Sequence, residues 1–213
     1  MKVAIFDFDG TLLRGNSYHL FFQWQLQHRP GRAPALLGWA LLRRARLVPA
    51  RFLKNRALQM LRGRPAAEVS ELGRRLYAGL LAPRLRPAGL QELVQRRAEG
   101  CEILLLTGAF DFLAAPLAEA QGISLWRATR VRFQNGACAG IIDGAEMAGA
   151  AKLRALEDLL AGRTVDWPRS WAYGDEESDG VVLSRVGQPV WIKTRRKTPR
   201  GLPPACRVVQ WEA

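Results

Sequence analysis

The sequence predicts an α/β fold in which a parallel sheet lies between two layers of helices and carries an inserted helical cap. Three observations predict it. Short apolar runs alternate with helical patterns over most of the chain, and one long helical segment interrupts this alternation directly after the first run. The length of 213 residues suits one core with a modest insert. The expected architecture is a three-layer, Rossmann-like sandwich with a cap.

The first apolar run, Lys2–Phe8, predicts a buried strand that ends in the polar turn Asp9-Gly10-Thr11. From Asn16 to about Leu85, apolar residues recur at helical spacing, and Pro and Gly residues divide the stretch into about four helices. We therefore expect a catalytic core formed by residues 1–13 plus 87–213, and an α-helical cap formed by residues 14–86.

The rest of the chain alternates between helix and strand, which predicts parallel strands joined by crossover helices. Asn135–Gly136 separates two short runs and predicts a hairpin turn. In chain order, the predicted elements are a helix at Gly89–Glu99, a strand at Glu102–Thr107, a helix at Asp111–Gln121, hairpin strands at Ala128–Phe133 and Ala139–Ile142, a helix at Ala150–Ala161, a strand at Ser170–Tyr173, a helix at Ser178–Arg185, and strands at Pro189–Lys193 and Arg207–Trp211.

Positive charge is concentrated in the cap. Residues 14–86 hold 15 of the 32 Lys and Arg residues but only two acids, so they carry the whole net charge of +13. Such asymmetry favours an anionic partner: a phosphorylated substrate, an anionic membrane surface or nucleic acid. A solvated Arg-rich helical face is the simpler alternative. Nucleic acid is the least favoured partner, because no nucleic-acid-binding module is recognisable.

One stretch of the cap, Ala33–Pro49, combines Leu and Trp residues with Arg43, Arg44 and Arg46. This pattern is typical of an interfacial helix on anionic lipid, but an ordinary cap helix whose apolar face packs on its neighbours also explains it and is slightly favoured. No apolar run reaches 18 residues and no signal peptide is evident, so we expect a cytoplasmic protein, with peripheral contact at the inner face of the membrane as an option. The three widely spaced cysteines form neither a metal motif nor a disulfide framework.

Polar residues follow three of the predicted strands. Because the carboxyl ends of parallel strands meet at one edge of the sheet, these residues should converge in one cleft. Several carboxylates so close together would repel each other, and Mg²⁺, which prefers oxygen ligands, would relieve that repulsion. The residues concerned are Asp7, Asp9 and Thr11 after the first strand, Thr107 and Gly108 after the second, Asp175, Glu176, Glu177 and Asp179 after the third, and Lys152 on the preceding helix.

This set resembles the four ordered motifs of the haloacid dehalogenase superfamily: DFDGT at 7–11, Thr107 after an apolar strand, Lys152, and GDEESD at 174–179. The runs LLLTGAFDFLAAPLAEAQGI and SWAYGDEESDGVVLSRVGQPVWI are similar to the phosphoserine-phosphatase-like branch, whose helical cap lies between the first and second motifs. The resemblance implies a magnesium-dependent phosphomonoester hydrolase that works through an aspartyl-phosphate.

The resemblance also implies a role for each catalytic residue. Asp7 would be the nucleophile and a magnesium ligand. Asp9 would protonate the leaving oxygen, then activate water, and bind the metal through its backbone carbonyl. Lys152 would pair with the phosphate and Asp7 and stabilise charge in the transition state.

Five further residues receive supporting roles from the same resemblance. Thr107 and the amide of Gly108 would hold phosphoryl oxygens, and Thr11 would position the Asp7–Asp9 loop. Asp175 would be a metal ligand, and Asp179 would orient Lys152 or metal-bound water.

The substrate stays open at this point. Relatives that cleave phosphoserine carry a Glu where this chain has the neutral Asn16, which argues against phosphoserine and leaves Asn16 to contact a polar leaving group. Small phosphomonoesters and lipid phosphates such as phosphatidylglycerophosphate remain candidates; the branch that cleaves the latter is similar in its apolar, basic cap and around Thr198–Gly201. A non-catalytic protein that binds anionic lipid or nucleic acid on a phosphatase scaffold is the alternative function. Glu176 and Glu177 depart from the family pattern and add charge near the metal.

Overall fold

The computed structural model describes residues 1–28, 38, 50–194 and 201–211. Six strands form one sheet in the order β3-β2-β1-β6-β7-β8, and every neighbouring pair is parallel. Two further strands pair antiparallel as a hairpin. The strands are β1 (Lys2–Phe6), β2 (Cys101–Phe110), β3 (Leu125–Thr129), β4 (Val131–Gln134), β5 (Ala137–Ile142), β6 (Trp171–Gly174), β7 (Gln188–Ile192) and β8 (Arg207–Val209).

Helices cover both faces of the sheet and form most of the segment between β1 and β2 that the structure describes. The described α-helices are α1 (Ser17–His28), α2 (Ala50–Leu58), α3 (Ala66–Leu76), α4 (Pro87–Ala98), α5 (Asp111–Ala120), α6 (Ala150–Leu159) and α7 (Gly180–Leu183). Short 3-10 turns lie at Gln59–Leu61, Ala82–Arg84, Trp167–Arg169 and Glu177–Asp179, and a π-helical turn lies at Tyr77–Leu81.

The central strand β1 shows why this is a three-layer sandwich. Val3 and Ile5 belong to a core cluster shared with α6 and α7, while Ala4 and Phe6 belong to the cluster shared with α4 and α5. Successive side chains of a strand point to opposite faces, so both faces of β1 are covered. A strand buried on both faces has an unbroken apolar run in its sequence, and Val3–Phe6 is such a run. The predicted α/β sandwich is confirmed.

One predicted element is wrong in its extent. The run Ala128–Phe133 is not a single hairpin strand, because its first two residues complete β3 in the main sheet. The chain leaves the sheet after Thr129, where the amide of Val131 donates to Oδ2 of Asp111 at 3.2 Å. The hairpin turn itself is confirmed, since Asn135 and Gly136 both adopt positive φ, at 51° and 77°.

The β4–β5 hairpin lies against α2 and the segment that joins α2 to α3. The amide of Ile142 donates to Oδ1 of Asn55 at 2.9 Å, and Cys138 exchanges backbone hydrogen bonds with Gly63 and Arg64, each at 2.8 Å. A segment after β2 therefore contacts residues that the sequence assigns to the cap. The division into core and cap stays a prediction.

The membrane hypothesis falls largely on residues outside this description. Apart from Gly38, the stretch Ala33–Pro49 lies outside the described residues, as do Thr198, Pro199 and Arg200. Within the described part of the chain, no helix combines the length and the apolarity needed to cross a bilayer.

Candidate active site

Asp7 lies at the carboxyl end of the sheet, directly after β1. Its amide donates to the carbonyl of Tyr173 in β6 at 3.0 Å, so the chain is still held against the neighbouring strand where Asp7 begins. Oδ1 of Asp7 accepts a hydrogen bond from Nζ of Lys152 at 2.6 Å. Lys152 comes from the first turn of α6, so the sheet and a crossover helix together bring a carboxylate and an ammonium into contact.

Lys152 bridges two carboxylates. Its Nζ also donates to Oδ1 of Asp179 at 2.6 Å. The other oxygen of Asp179 accepts the amides of Asp175 and Glu176 at 3.1 and 3.0 Å. With both oxygens engaged, Asp179 holds Lys152 and the loop after β6 in fixed positions.

The carboxylates of Asp7, Asp175 and Asp179 form one buried cluster, in which one oxygen of each lies within 4.8 Å of the others. The hydroxyl of Thr11 donates to Oδ1 of Asp175 at 3.5 Å. Both oxygens of Asp179 already accept hydrogen bonds, from Lys152 and from two amides. Asp7 and Asp175 are therefore better placed than Asp179 to bind a metal ion. Two carboxylates fit Mg²⁺, which takes few protein ligands and keeps several waters of its own.

Asp9 is turned towards the start of α1 rather than towards that cluster. Its Oδ1 accepts the amide of Ser17 at 2.7 Å and its Oδ2 accepts the hydroxyl of Ser17 at 3.0 Å. The first amides of a helix lack partners within the helix, so a carboxylate there is well placed. The predicted metal contact of Asp9 is through its backbone carbonyl, and this orientation of the side chain leaves that expectation a prediction.

Burial and charge shift the pKa values of these groups. Burial raises the pKa of Asp7 well above its usual range, against the opposing effect of Lys152. Burial also raises the pKa of Asp9, although both hydrogen bonds from Ser17 act in the opposite direction. Burial alone would lower the pKa of Lys152, but the carboxylates of Asp7 and Asp179 outweigh it, so the net shift is upward and the ammonium stays charged.

Ser17 was not predicted as a site residue, and it supplies both hydrogen bonds that orient Asp9. We expect Ser17→Ala to lower kcat about tenfold, with a smaller effect on KM, because the carboxylate loses one of the two donors that fix its position. Steady-state kinetics would measure this, with exposed Ser184→Ala as the control. An unchanged kcat in Ser17→Ala would contradict this positioning role.

Gly10 brings the first loop against the metal cluster. Its φ is +80°, and a Cβ placed on it would lie 2.2 Å from Oδ2 of Asp175. Such an approach excludes every side chain, so only glycine allows Asp175 to occupy this position.

We expect Gly10→Ala to raise the magnesium concentration needed for half-maximal activity about tenfold, because Asp175 must move away from the new methyl group. Gly100→Ala is a matched control: its φ is +79°, but no atom lies within 4 Å of the added Cβ. Both variants should lose stability from the strained φ, and Gly10→Ala should lose more because its methyl group displaces Asp175; thermal unfolding measures both losses. Equal magnesium requirements in the two variants would contradict the prediction.

Thr107 and Gly108 lie in β2, beside β1. Thr107 is fully buried, and its Oγ1 accepts the amide of Ala109 at 3.1 Å. The carbonyl of Gly108 accepts hydrogen bonds from Nζ of Lys54 at 3.1 Å and from Oγ1 of Thr129 at 3.0 Å. The second predicted motif therefore reaches the same edge of the sheet as Asp7, and the carbonyl of Gly108 is engaged by Lys54 from α2.

A cavity of about 340 Å³ opens above these groups. Lys54 of α2 and Glu146 form an ion pair in its wall, which joins α2 to the loop before α6. Sequence reasoning missed both, because they lie far apart in the chain and the only signal was the general basicity of the cap. The cavity is lined by Asp7, Asp9, Asn16, Tyr18, His19, Leu53, Lys54, Gly108, Glu146, Met147, Ala148, Lys152, Glu176 and Ser178.

Asn16 lies at the rim of this cavity and also caps a helix. Its Oδ1 accepts the amide of His19 at 3.2 Å, which suits the residue directly before α1. Of the two extra acids after β6, Glu176 is half-buried and lines the cavity, whereas Glu177 is exposed. Only Glu176 is therefore placed to affect the charge of the site.

Comparison with known families decides the assignment that the motifs suggest. The haloacid dehalogenase-like hydrolase family matches residues 4–183. The chain belongs to the haloacid dehalogenase-like hydrolase family. The matched region contains every predicted site residue of this hydrolase, from Asp7 to Asp179.

Relatives of this hydrolase include phosphatases. Protein CicA of Caulobacter vibrioides (strain NA1000 / CB15N) is 29% identical over 85% of this chain and 82% of its own length. Phosphoserine phosphatase SerB1 of Mycobacterium tuberculosis (strain ATCC 25618 / H37Rv) is 27% identical over 89% of this chain but only 64% of its own length. These relatives place the chain in the phosphoserine-phosphatase-like branch, and the predicted enzyme class, a phosphatase, is confirmed.

Solved structures support the fold. A protein of unknown function from Bordetella pertussis Tohama I superposes with a TM-score of 0.80 at 21% identity, covering 99% of both chains. A phospho-aspartyl intermediate analogue of phosphoserine phosphatase superposes with a TM-score of 0.64 at 17% identity, covering 90% of this chain and 86% of the other. Identities this low establish only the shared architecture.

Proposed function

We propose that this hydrolase is a magnesium-dependent phosphatase that transfers the phosphoryl group of a small phosphomonoester first to Asp7 and then to water. The observation that carries the proposal is the buried arrangement of Asp7, Lys152, Asp175 and Asp179, in which the oxygens of the three carboxylates lie within 4.8 Å and Lys152 bonds two of them. Mg²⁺ bound by Asp7 and Asp175 would neutralise charge on the phosphoryl oxygens.

The residues of the chain account for each step. A carboxylate oxygen of Asp7 attacks phosphorus, and the bond to the leaving oxygen breaks while Asp9 donates a proton to that oxygen. Asp9, now ionised, takes a proton from water as the water oxygen attacks phosphorus and releases Asp7. Lys152 stabilises the negative charge, and the raised pKa of Asp9 suits a group that must first donate a proton.

The cavity favours a small polar leaving group. A volume of about 340 Å³ lies at the lower end of the range for small-molecule binding sites. The polar side chains that line the cavity include Asn16, His19, Lys54 and Glu146. Asn16 supplies no negative charge for the ammonium group of phosphoserine, so such a charge would have to come from Glu146, which is paired with Lys54, or from Glu176. The lipid phosphate hypothesis depends on Ala33–Pro49, and so stays a prediction, as does contact with a membrane.

The test is phosphate release from a panel of phosphomonoesters, with and without magnesium. The panel should contain phosphoserine, histidinol phosphate, sugar phosphates, nucleotides and phosphatidylglycerophosphate in detergent. We expect a soluble phosphomonoester to be the best substrate, activity to vanish with EDTA, and added Mg²⁺ to restore it, because the buried carboxylates need a cation to bind phosphate. Full activity after exhaustive chelation would contradict the metal requirement, and a preference for the lipid would contradict the proposed substrate class.

A further inference from the structure

A second and larger cavity, of about 830 Å³, adjoins the catalytic one, and Asn16 and His19 line both. It lies beside the loop after β1, the residue before α4 and the segment after β7. Asp175 is also part of its lining, so it reaches the back of the metal cluster. None of the predicted catalytic steps uses this space.

The described lining of this cavity is strongly basic. Arg14, Arg86 and Lys193 face a single carboxylate, that of Asp175. Asp175 belongs to the metal cluster, and none of the ion pairs between described residues involves any of the three cations. Positive charge gathered in a concave surface attracts anions.

Arg86 is the strongest sign that a ligand belongs here. It is only 8% exposed, its Nη1 donates to the carbonyl of Trp211 at 2.8 Å, and its Nε is buried without a hydrogen-bond partner in the described structure. A buried guanidinium that forms no ion pair is costly. Burial and the nearby Arg14 lower the pKa of Arg86 and outweigh the opposite effect of Asp175, so the two cations are close enough to repel. A bound anion would offset both costs.

We propose that this second cavity is a binding site for a phosphate group, held by Arg86 and Arg14 with Lys193 at the rim. Arginine suits this task because its planar fork of donors matches the oxygens of a phosphate. The half-buried Trp211 in the same wall offers a flat apolar surface to an organic group attached to that phosphate. The site is distinct from the place where Asp7 attacks, and it needs no step of the phosphatase reaction.

Calorimetric titration of the full chain with inorganic phosphate, in the presence of Mg²⁺, tests the site. We expect two phosphates to bind per wild-type chain. Arg86→Met and Arg14→Met should each weaken the affinity for one of these phosphates about tenfold or more, since each removes charged hydrogen bonds.

Arg84→Met is the matched control, because Arg84 donates to the carbonyl of Leu80 and does not line the cavity. Should Arg86→Met fail to fold, Arg14→Met and Lys193→Met decide the matter, because both side chains are exposed. One phosphate per wild-type chain, or two with unchanged affinity in the variants, would overturn the proposal.

Kinetic measurements then distinguish two sources of the phosphate group, which are a second phosphate of the substrate and a separate ligand. These measurements rest on the proposed phosphatase activity. If the site holds a second phosphate of the substrate, Arg14→Met should raise KM for a sugar bisphosphate about tenfold and leave KM for p-nitrophenyl phosphate unchanged. If it holds a separate ligand, both KM values stay unchanged while the calorimetric binding is lost. Failure of the wild-type enzyme to hydrolyse either compound would count against the phosphatase proposal and leave the calorimetric result to decide the site.

Discussion

Asp7→Asn is expected to reduce phosphate release about 10³-fold or more, because the amide that replaces the carboxylate is a poor nucleophile. The variant should nevertheless fold. Asn has the same shape as Asp, and its amide oxygen can still accept the hydrogen bond that Nζ of Lys152 donates to Oδ1 of Asp7 at 2.6 Å. Lys152 keeps its second partner, Asp179, at 2.6 Å.

Three measurements make this result informative. Circular dichroism and thermal unfolding should match the wild type, and Asp158→Asn, an exposed substitution on α6, should leave activity unchanged. Rapid acid quenching followed by mass spectrometry should detect a phosphorylated peptide containing residue 7 in the wild type and none in Asp7→Asn. Phosphate release by Asp7→Asn within tenfold of the wild-type rate would show that another group attacks phosphorus.

Where local chemistry decides the structure, the sequence predicted it well. The Asp9-Gly10-Thr11 turn and the Asn135–Gly136 hairpin turn both depend on residues that adopt unusual φ values cheaply, and both form as expected. The convergence of Asp7 and Asp175 followed from the rule that parallel strands have their carboxyl ends at one edge of the sheet, whereas the place of Lys152 beside Asp7 was expected from the family resemblance. These predictions needed only neighbouring residues and one topological rule.

Features that depend on contacts between residues far apart in the chain could not be predicted from the sequence. Lys54 and Glu146 meet in the cavity wall although 92 positions separate them, and no local pattern links them. The end of β3 at Thr129 depends on Asp111. This residue begins α5 and accepts a hydrogen bond from the amide of Val131, 20 positions further along the chain. The basic cavity around Arg86 also requires the fold, because its residues come from both halves of the chain.

Lys152→Met should lower kcat about 10²–10³-fold, because the ammonium that stabilises charge around the transferred phosphoryl group is lost. The methionine side chain has a similar length and packs in the same buried space, so the change isolates the charge. Arg154→Met is the control, since it removes an exposed cation two residues further along the same helix. Activity of Lys152→Met within tenfold of the wild type would contradict the role of Lys152 in the transition state.

Stability distinguishes this catalytic role from a merely structural one. Without Lys152, the carboxylates of Asp7 and Asp179 lose their shared cation, and breaking a buried pair of this kind costs about 3–5 kcal/mol of unfolding free energy. Adding Asp179→Asn to Lys152→Met removes one of the opposed charges and should recover part of that stability in thermal unfolding, but none of the activity. If activity returned together with stability, Lys152 would act only by holding the fold, because the double variant still lacks any ammonium beside Asp7.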